Sequence, residues 1–194
     1  MALWPSYDKV IDLEDKELIE MLRNPLQREE GFRILINLYK KRLYWHIRTL
    51  VLLHDDTDDV LQNTFIKIYR NIDKFRGDSA LFTWMFRIAT NESLSLLKTR
   101  AKKMNQSLED VQEERVRNLK SDPYFDGDEL ELSLQEAIVR LPEKQQMVFR
   151  MKYFQEMKYE EMSQILGTSV GALKASYHHA KKKIESRILK NAEG

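Results

Sequence analysis

Near the end of the chain, apolar residues recur at Val170, Leu173, Tyr177, Ala180, Ile184 and Ile188. Steps of three and four trace one stripe of an α-helix, and Ser169 stands where a helix N-cap belongs. The opposite side carries Gly171, Lys174, Ala175, His178, Lys181 and Lys182, small at its start and basic further on. Such a helix must bury one face, which leaves the other for solvent, metal, membrane or nucleic acid. Metal fits poorly. His178 and His179 are adjacent, so they diverge by about 100° around a helix and cannot share an ion as an i, i+4 pair does. The chain has no cysteine to complete a site. A solvated charged face is the ordinary fate of a lysine cluster.

The residues just upstream favour nucleic acid. "KYEEMSQIL", 158–166, has the spacing of a short helix with Met162, Ile165 and Leu166 inward. Gly167 then falls where a left-handed turn residue is needed between two helices. Short helix, glycine turn and longer helix make up the helix-turn-helix, whose second helix enters the DNA major groove. Small residues at its start let the backbone approach base edges, and lysines further along meet phosphates. Many two-helix turns share this outline, so the motif alone is moderately specific.

Helical spacing also dominates elsewhere. "EDKELIEML" predicts a short opening helix and "REEGFRILINLYKKRLYWHIRTLVLL" a long one. "HDDTDD" is expected to break the second helix and start the third, "DDVLQNTFIKIYRNI". "KFRGDS" reads as a turn, with Ser79 capping "ALFTWMFRIATNESLSLLKTRAKK". Later come "LSLQEAIVRL" and "EKQQMVFRMKYF", the latter opened by Pro142. Only six glycines and four prolines interrupt 194 residues, which points to an all-α protein.

Charge divides this protein into three. Residues 1–103 hold 18 Lys and Arg against 15 Asp and Glu, residues 104–141 hold 4 against 10, and residues 142–194 hold 10 against 6. Periodicity fades between Met104 and Leu130, where "SDPYFDGDE" carries a Pro, a Gly and many carboxylates. The expectation is two small helical domains, 1–103 and 131–194, joined by an acidic linker, 104–130.

Other chemistry finds little support. "HDDTDD" lacks the Gly and the distal Glu of a calcium loop, and acidic residues at a helix start are favoured by the helix dipole. Phe82 and Phe86 share a core-like face with Met85 and Ala89, while Trp84 lies off that stripe and is left open between core and base stacking. "FRGDS" is the better nucleic-acid candidate there, with Arg76 for phosphate. No nucleophile–base set or phosphate-cradling glycine loop is present, so no enzyme and no cofactor are expected. "MALWPSYDKV" lacks a signal pattern and no stretch reaches membrane-spanning length, so a soluble, cytoplasmic protein is expected.

Two long stretches carry a resemblance. "DDTDDVLQNTFIKIYRNIDKFRGDSALFTWMFRIATNESLSLLK" resembles region two of bacterial sigma-70 family sigma factors of the extracytoplasmic-function (ECF) group. "LPEKQQMVFRMKYFQEMKYEEMSQILGTSVGALKASYHHAKKKI" resembles region four of the same group. The resemblance implies a transcription initiation factor that binds core RNA polymerase and promoter DNA, with an anti-sigma factor as a further partner and no membrane insertion. It implies that Asp59, Val60, Gln62, Asn63 and Phe65 grip the polymerase clamp. It implies that Phe75, Arg76, Gly77, Asp78, Ser79, Trp84, Asn91 and Lys98 melt and capture the minus-ten element. It implies that Gly171, Lys174, Ala175, His178, His179, Lys181 and Lys182 meet the minus-thirty-five element. In this family region four also binds the polymerase flap, and the linker threads a basic channel of the enzyme. Ser95, Lys98, Ser176 and His179 depart from residues common in the family. The rivals are a dimeric helix-turn-helix regulator, which needs no polymerase-binding region, and a nuclease using the "HDDTDD" carboxylates with magnesium.

Overall fold

The computed structural model describes residues 15–104, 113–114, 116–117 and 129–192. The chain divides into two compact units, 4–96 and 97–194 with 1–3. The described residues of the first begin with α1 (Asp15–Arg23), α2 (Arg28–Val51) and α3 (His54–Asn71). A 3-10 turn (Ile72–Lys74) and a short loop lead to α4 (Leu81–Met104), within which the division falls. The four helices converge on one apolar core. Leu18 and Leu22 of α1, Leu35, Leu43 and Ile47 of α2, Ile68 of α3 and Leu81, Met85 and Phe86 of α4 are all but inaccessible to solvent. Where α1 crosses α2 the backbones come close. A Cβ on Gly31 would sit 3.0 Å from the Met21 Cβ and 3.2 Å from the Leu22 nitrogen, so this position takes no larger residue without a shift.

Four buried or half-buried hydroxyls in this unit are satisfied locally. The hydroxyls of Thr57, Thr64, Thr90 and Ser93 each donate to the carbonyl four residues back, at 2.7–2.8 Å. Thr90 Oγ1 uses its only proton on the Phe86 carbonyl. The 2.8 Å contact with His46 Nε2 therefore requires the imidazole to donate.

The break between α2 and α3 differs from expectation. The acidic run starts α3 as expected, with all four aspartates inside the helix that begins at His54, but it is not what ends α2. The interruption is Leu52–Leu53, with Leu52 at φ 71° while its side chain stays buried. Core packing of this leucine outweighs the roughly 1–2 kcal/mol that a left-handed conformation costs a residue with a Cβ. Ser79 is not the cap of α4 either. Its hydroxyl donates to the Ala80 carbonyl at 3.3 Å, and Ala80 O in turn accepts from Trp84 N.

The second unit contains α5 (Glu129–Val139), α6 (Glu143–Tyr153), α7 (Tyr159–Leu166) and α8 (Val170–Ala192). Its core joins Ala137, Ile138 and Leu141 to Phe149 of α6 and to Ala180 and Ile184 of α8. Gln146 Nε2 donates to the carbonyls of Val139 and Leu141, both at 2.7 Å, which fixes the turn between α5 and α6. Gly167 adopts φ 61° between α7 and α8, and Ser169 Oγ accepts the Ala172 N–H at 3.3 Å as the expected N-cap. The expected acidic linker lies mostly outside the described residues. Within it, 113–114 and 116–117 are helical, and Glu113 pairs with Arg140.

Candidate nucleic-acid interface

The last helix presents its expected face cleanly. Gly171, Lys174, Ala175, His178, Lys181 and Lys182 are exposed, while Leu173, Ala180 and Ile184 are buried. His179 is exposed as well, so it joins this surface rather than the edge of the packed side. No side chain or backbone of another element lies within 4 Å of a Cβ built on Gly171, leaving room for a groove wall to approach. The Lys174 ammonium lies 5.7 Å from the centre of the Tyr159 ring, which also faces Lys152 at 5.2 Å. Burial and then the neighbouring Tyr177 push the Tyr159 phenol above its usual range, so it stays a neutral donor. Lys181 pairs with Glu185 at 3.7 Å. Lys182 instead faces a concavity of about 330 Å³ shared with Arg140, Lys183, Arg187 and Lys190.

The residues of the α3–α4 connection separate into scaffold and surface. Phe75 and Trp84 are buried and pack on each other with ring centres 5.3 Å apart. In this conformation both rings are turned to each other rather than to solvent. Arg76, Gly77 and Asp78 are exposed, with Gly77 at φ 81°, and Ser79 is half-buried. Asn91 and Lys98 are exposed on α4 at spacings of seven, two turns apart on the same side.

A third surface lies across α2 and α3. A groove of about 960 Å³ is lined by Asp58, Asp59, Gln62 and Phe65 of α3 with Phe32, Ile36 and Lys40 of α2. Of the five expected residues, Asp59, Gln62 and Phe65 meet here. Val60 points into the core and Asn63 is exposed outside the groove. Phe65 forms the floor, edge-on to Phe32 at 6.2 Å. Ile66 and Tyr69 also line it and are exposed, at 41% and 37%. Sequence reasoning passed over both, although each lies four residues beyond an expected residue on the same face, Gln62 and Phe65. Asp56, in the same acidic run as Asp58 and Asp59, is buried.

Among the described residues, no group of three or more His, Asp or Glu side chains is placed to hold a metal ion. Nor is any described helix long and apolar enough to cross a membrane. Two family models match the chain in order, Sigma-70 region 2 over residues 35–103 and Sigma-70 region 4 over residues 131–184. Curated relatives extend the likeness along almost the whole chain. The ECF RNA polymerase sigma-E factor of Haemophilus influenzae is 28% identical over 186 residues, covering 91% of this chain and 96% of its own length. The RNA polymerase sigma-H factor of Pseudomonas aeruginosa is 27% identical over 185 residues, covering 90% and 94%.

The chain belongs to the sigma-70 family, as an ECF-type sigma factor.

As such it is a transcription initiation factor that directs RNA polymerase to promoters. The sigma factor's all-α fold recurs in solved structures. CnrH, determined in complex with the cytosolic domain of CnrY, aligns with TM-score 0.65 at 22% identity, covering 93% of this chain and 99% of CnrH. The sigma factor RpoE in complex with the anti-sigma factor NepR, from Bartonella quintana, aligns with TM-score 0.63 at 22% identity, covering 83% and 98%.

Proposed function

We propose that the sigma factor divides initiation among its three surfaces. The α2–α3 groove binds the polymerase clamp through Asp59, Gln62, Phe65, Ile66 and Tyr69. The exposed loop residues Arg76, Gly77 and Asp78, with Asn91 and Lys98, engage the minus-ten element. Lys174, His178 and His179 on α8, with Gly171 and Ala175 allowing close approach, face the bases of the minus-thirty-five element, while Lys181 and Lys182 meet phosphates. The observation that carries this reading is the α2–α3 groove. An exposed isoleucine and tyrosine beside an aromatic floor and an acidic rim have the make-up of an anchored, electrostatically steered protein interface.

In this reading residues 1–103 and 131–194 are separate working domains, and the acidic 104–130 stretch occupies a basic nucleic-acid channel of the polymerase by charge complementarity. The protein acts in the cytoplasm and has no catalysis of its own. An anti-sigma factor holds it in reserve, as the RpoE–NepR pairing suggests. The test is reconstitution with core polymerase. Sigma-dependent run-off transcripts from a subset of genomic fragments are expected. DNA binding by the free protein as a dimer, with no capture of core, would instead support the helix-turn-helix regulator.

A further inference from the structure

The loop read above as the minus-ten contact starts from one residue, Phe75. Each part of that residue is held. Its N–H donates to Ile72 O at 3.0 Å and closes the 3-10 turn. Its ring packs on Trp84. Its carbonyl accepts a hydrogen bond from the guanidinium of Arg23, the last residue of α1 and 52 positions away in sequence. The next residues, Arg76, Gly77 and Asp78, are exposed.

A second arginine, the first residue of α2, holds the turn before Phe75. Arg28 Nη1 pairs with Asp73 at 3.2 Å, and Nη2 donates to Tyr69 O at 2.7 Å near the end of α3. Its guanidinium also lies over the Tyr69 ring at 4.7 Å. Carbonyls near a helix end lack intrahelical partners, so cations there are favoured by both hydrogen bonding and the helix dipole.

We infer that Arg23 is a positioning residue for the promoter-melting loop, fixing the direction in which the chain leaves Phe75, with Arg28 holding the turn that precedes it. The physical ground is that only four residues separate Phe75 from Ala80, so a rotation at the Phe75 carbonyl moves the whole tip. A charge-assisted bond to that carbonyl restrains such a rotation more strongly than a neutral hydrogen bond would. Arg23 needs no contact with DNA to act, and the sequence gives no local sign of it because its partner is remote. This inference rests on the proposed role of the loop.

The experiment uses full-length protein, core polymerase and a genomic fragment that yields a run-off transcript with the wild type. Rates of open-complex formation are compared for wild type, Arg23→Met, Arg23→Lys, Asp78→Ala and the double variant Arg23→Met with Asp78→Ala. Core affinity and thermal unfolding are measured alongside. Arg23→Met should slow opening roughly tenfold, the loss of a hydrogen bond to a charged group, with core affinity unchanged. Arg23→Lys, which keeps a donor for the carbonyl, should recover most of the rate. The double variant should open no more slowly than Asp78→Ala alone, because both act through one loop. Three results would overturn the inference: a wild-type rate for Arg23→Met while Asp78→Ala is impaired, an additive loss in the double variant, or no recovery with lysine. The first of these leaves the loop's role standing. Normal opening by both Asp78→Ala and Arg23→Met would remove the loop's role and the inference with it.

Discussion

The two regions proposed to meet promoter DNA are built differently. On α8 the packing stripe and the outward face are separate sets of residues, and all seven proposed contacts are exposed. Around the 75–79 loop the same motif mixes the two roles, with Phe75 and Trp84 buried as supports and Arg76 to Asp78 carried on top. The α2–α3 groove follows the second plan, with Phe65 beneath Ile66 and Tyr69. A regular helix positions a contact through its own backbone hydrogen bonds, whereas a loop or groove must borrow rigidity from side chains beneath it. Mutations should therefore act mainly through binding on α8, and through either stability or binding in the first unit.

The largest expected effects sharpen that division. Trp84→Ala and Phe65→Ala should each cost about 3–5 kcal/mol of folding stability, as truncation of a buried aromatic does. Arg76→Ala should change it by no more than about 0.5 kcal/mol, and Tyr69→Ala, which loses its contacts with Phe32 and Arg28, by about 1–2 kcal/mol, while impairing promoter opening and core binding respectively. Urea denaturation of the full chain gives the first quantity. Equal stability loss in all four would erase the distinction between support and surface.

On α8, Lys174→Ala and His178→Ala should reduce discrimination at individual base pairs by about 1–3 kcal/mol. Lys182→Ala should weaken all sequences alike and lower the salt slope by about 1. Binding to single-base variants of one minus-thirty-five element at two salt concentrations separates them. A uniform loss from all three would make the whole face a phosphate contact.

A smaller effect tests the frame that carries α8. Glu156, in the turn between α6 and α7, is exposed at φ 51°. Glu156→Gly should raise stability by about 1 kcal/mol, because glycine adopts this conformation without a Cβ penalty. A loss of stability on thermal unfolding would show that the glutamate makes a compensating interaction.

The smallest concerns the first unit at alkaline pH. Burial, and then Asp15, whose Oδ1 accepts the Tyr39 hydroxyl at 3.1 Å, push the Tyr39 pKa up to about 12. The folded state thus favours the neutral phenol. Its contribution is complete below the ordinary value of 10 and is lost as pH rises through about 12. Tyr39→Phe should flatten the decline of the urea midpoint between those values, and an unchanged slope would contradict the assignment.

Much of this was legible in the sequence because α-helices make burial periodic. The stripe on α8, the left-handed Gly167 and the Ser169 cap all follow from local spacing. What escaped depends on partners far away. Trp84 lies off the apparent stripe of α4, yet Phe75 covers it from across the loop. Leu52 rather than "HDDTDD" breaks the helix, because the core holds its side chain despite an unfavourable backbone. Ile66 and Tyr69 read as ordinary helix residues until Phe32 and α2 supply the opposite wall of the groove.

The most direct test of the central claim is a double dissociation in reconstituted transcription. Core affinity and affinity for a minus-thirty-five duplex are measured for Gln62→Ala/Tyr69→Ala and for Lys174→Ala/His178→Ala, each confirmed as folded by helical circular dichroism. The first variant should lose core binding and keep the duplex preference, the second should do the reverse, and both should lose the run-off transcript. A folded Gln62→Ala/Tyr69→Ala variant that still binds core at wild-type affinity would contradict the assignment of the α2–α3 groove to polymerase.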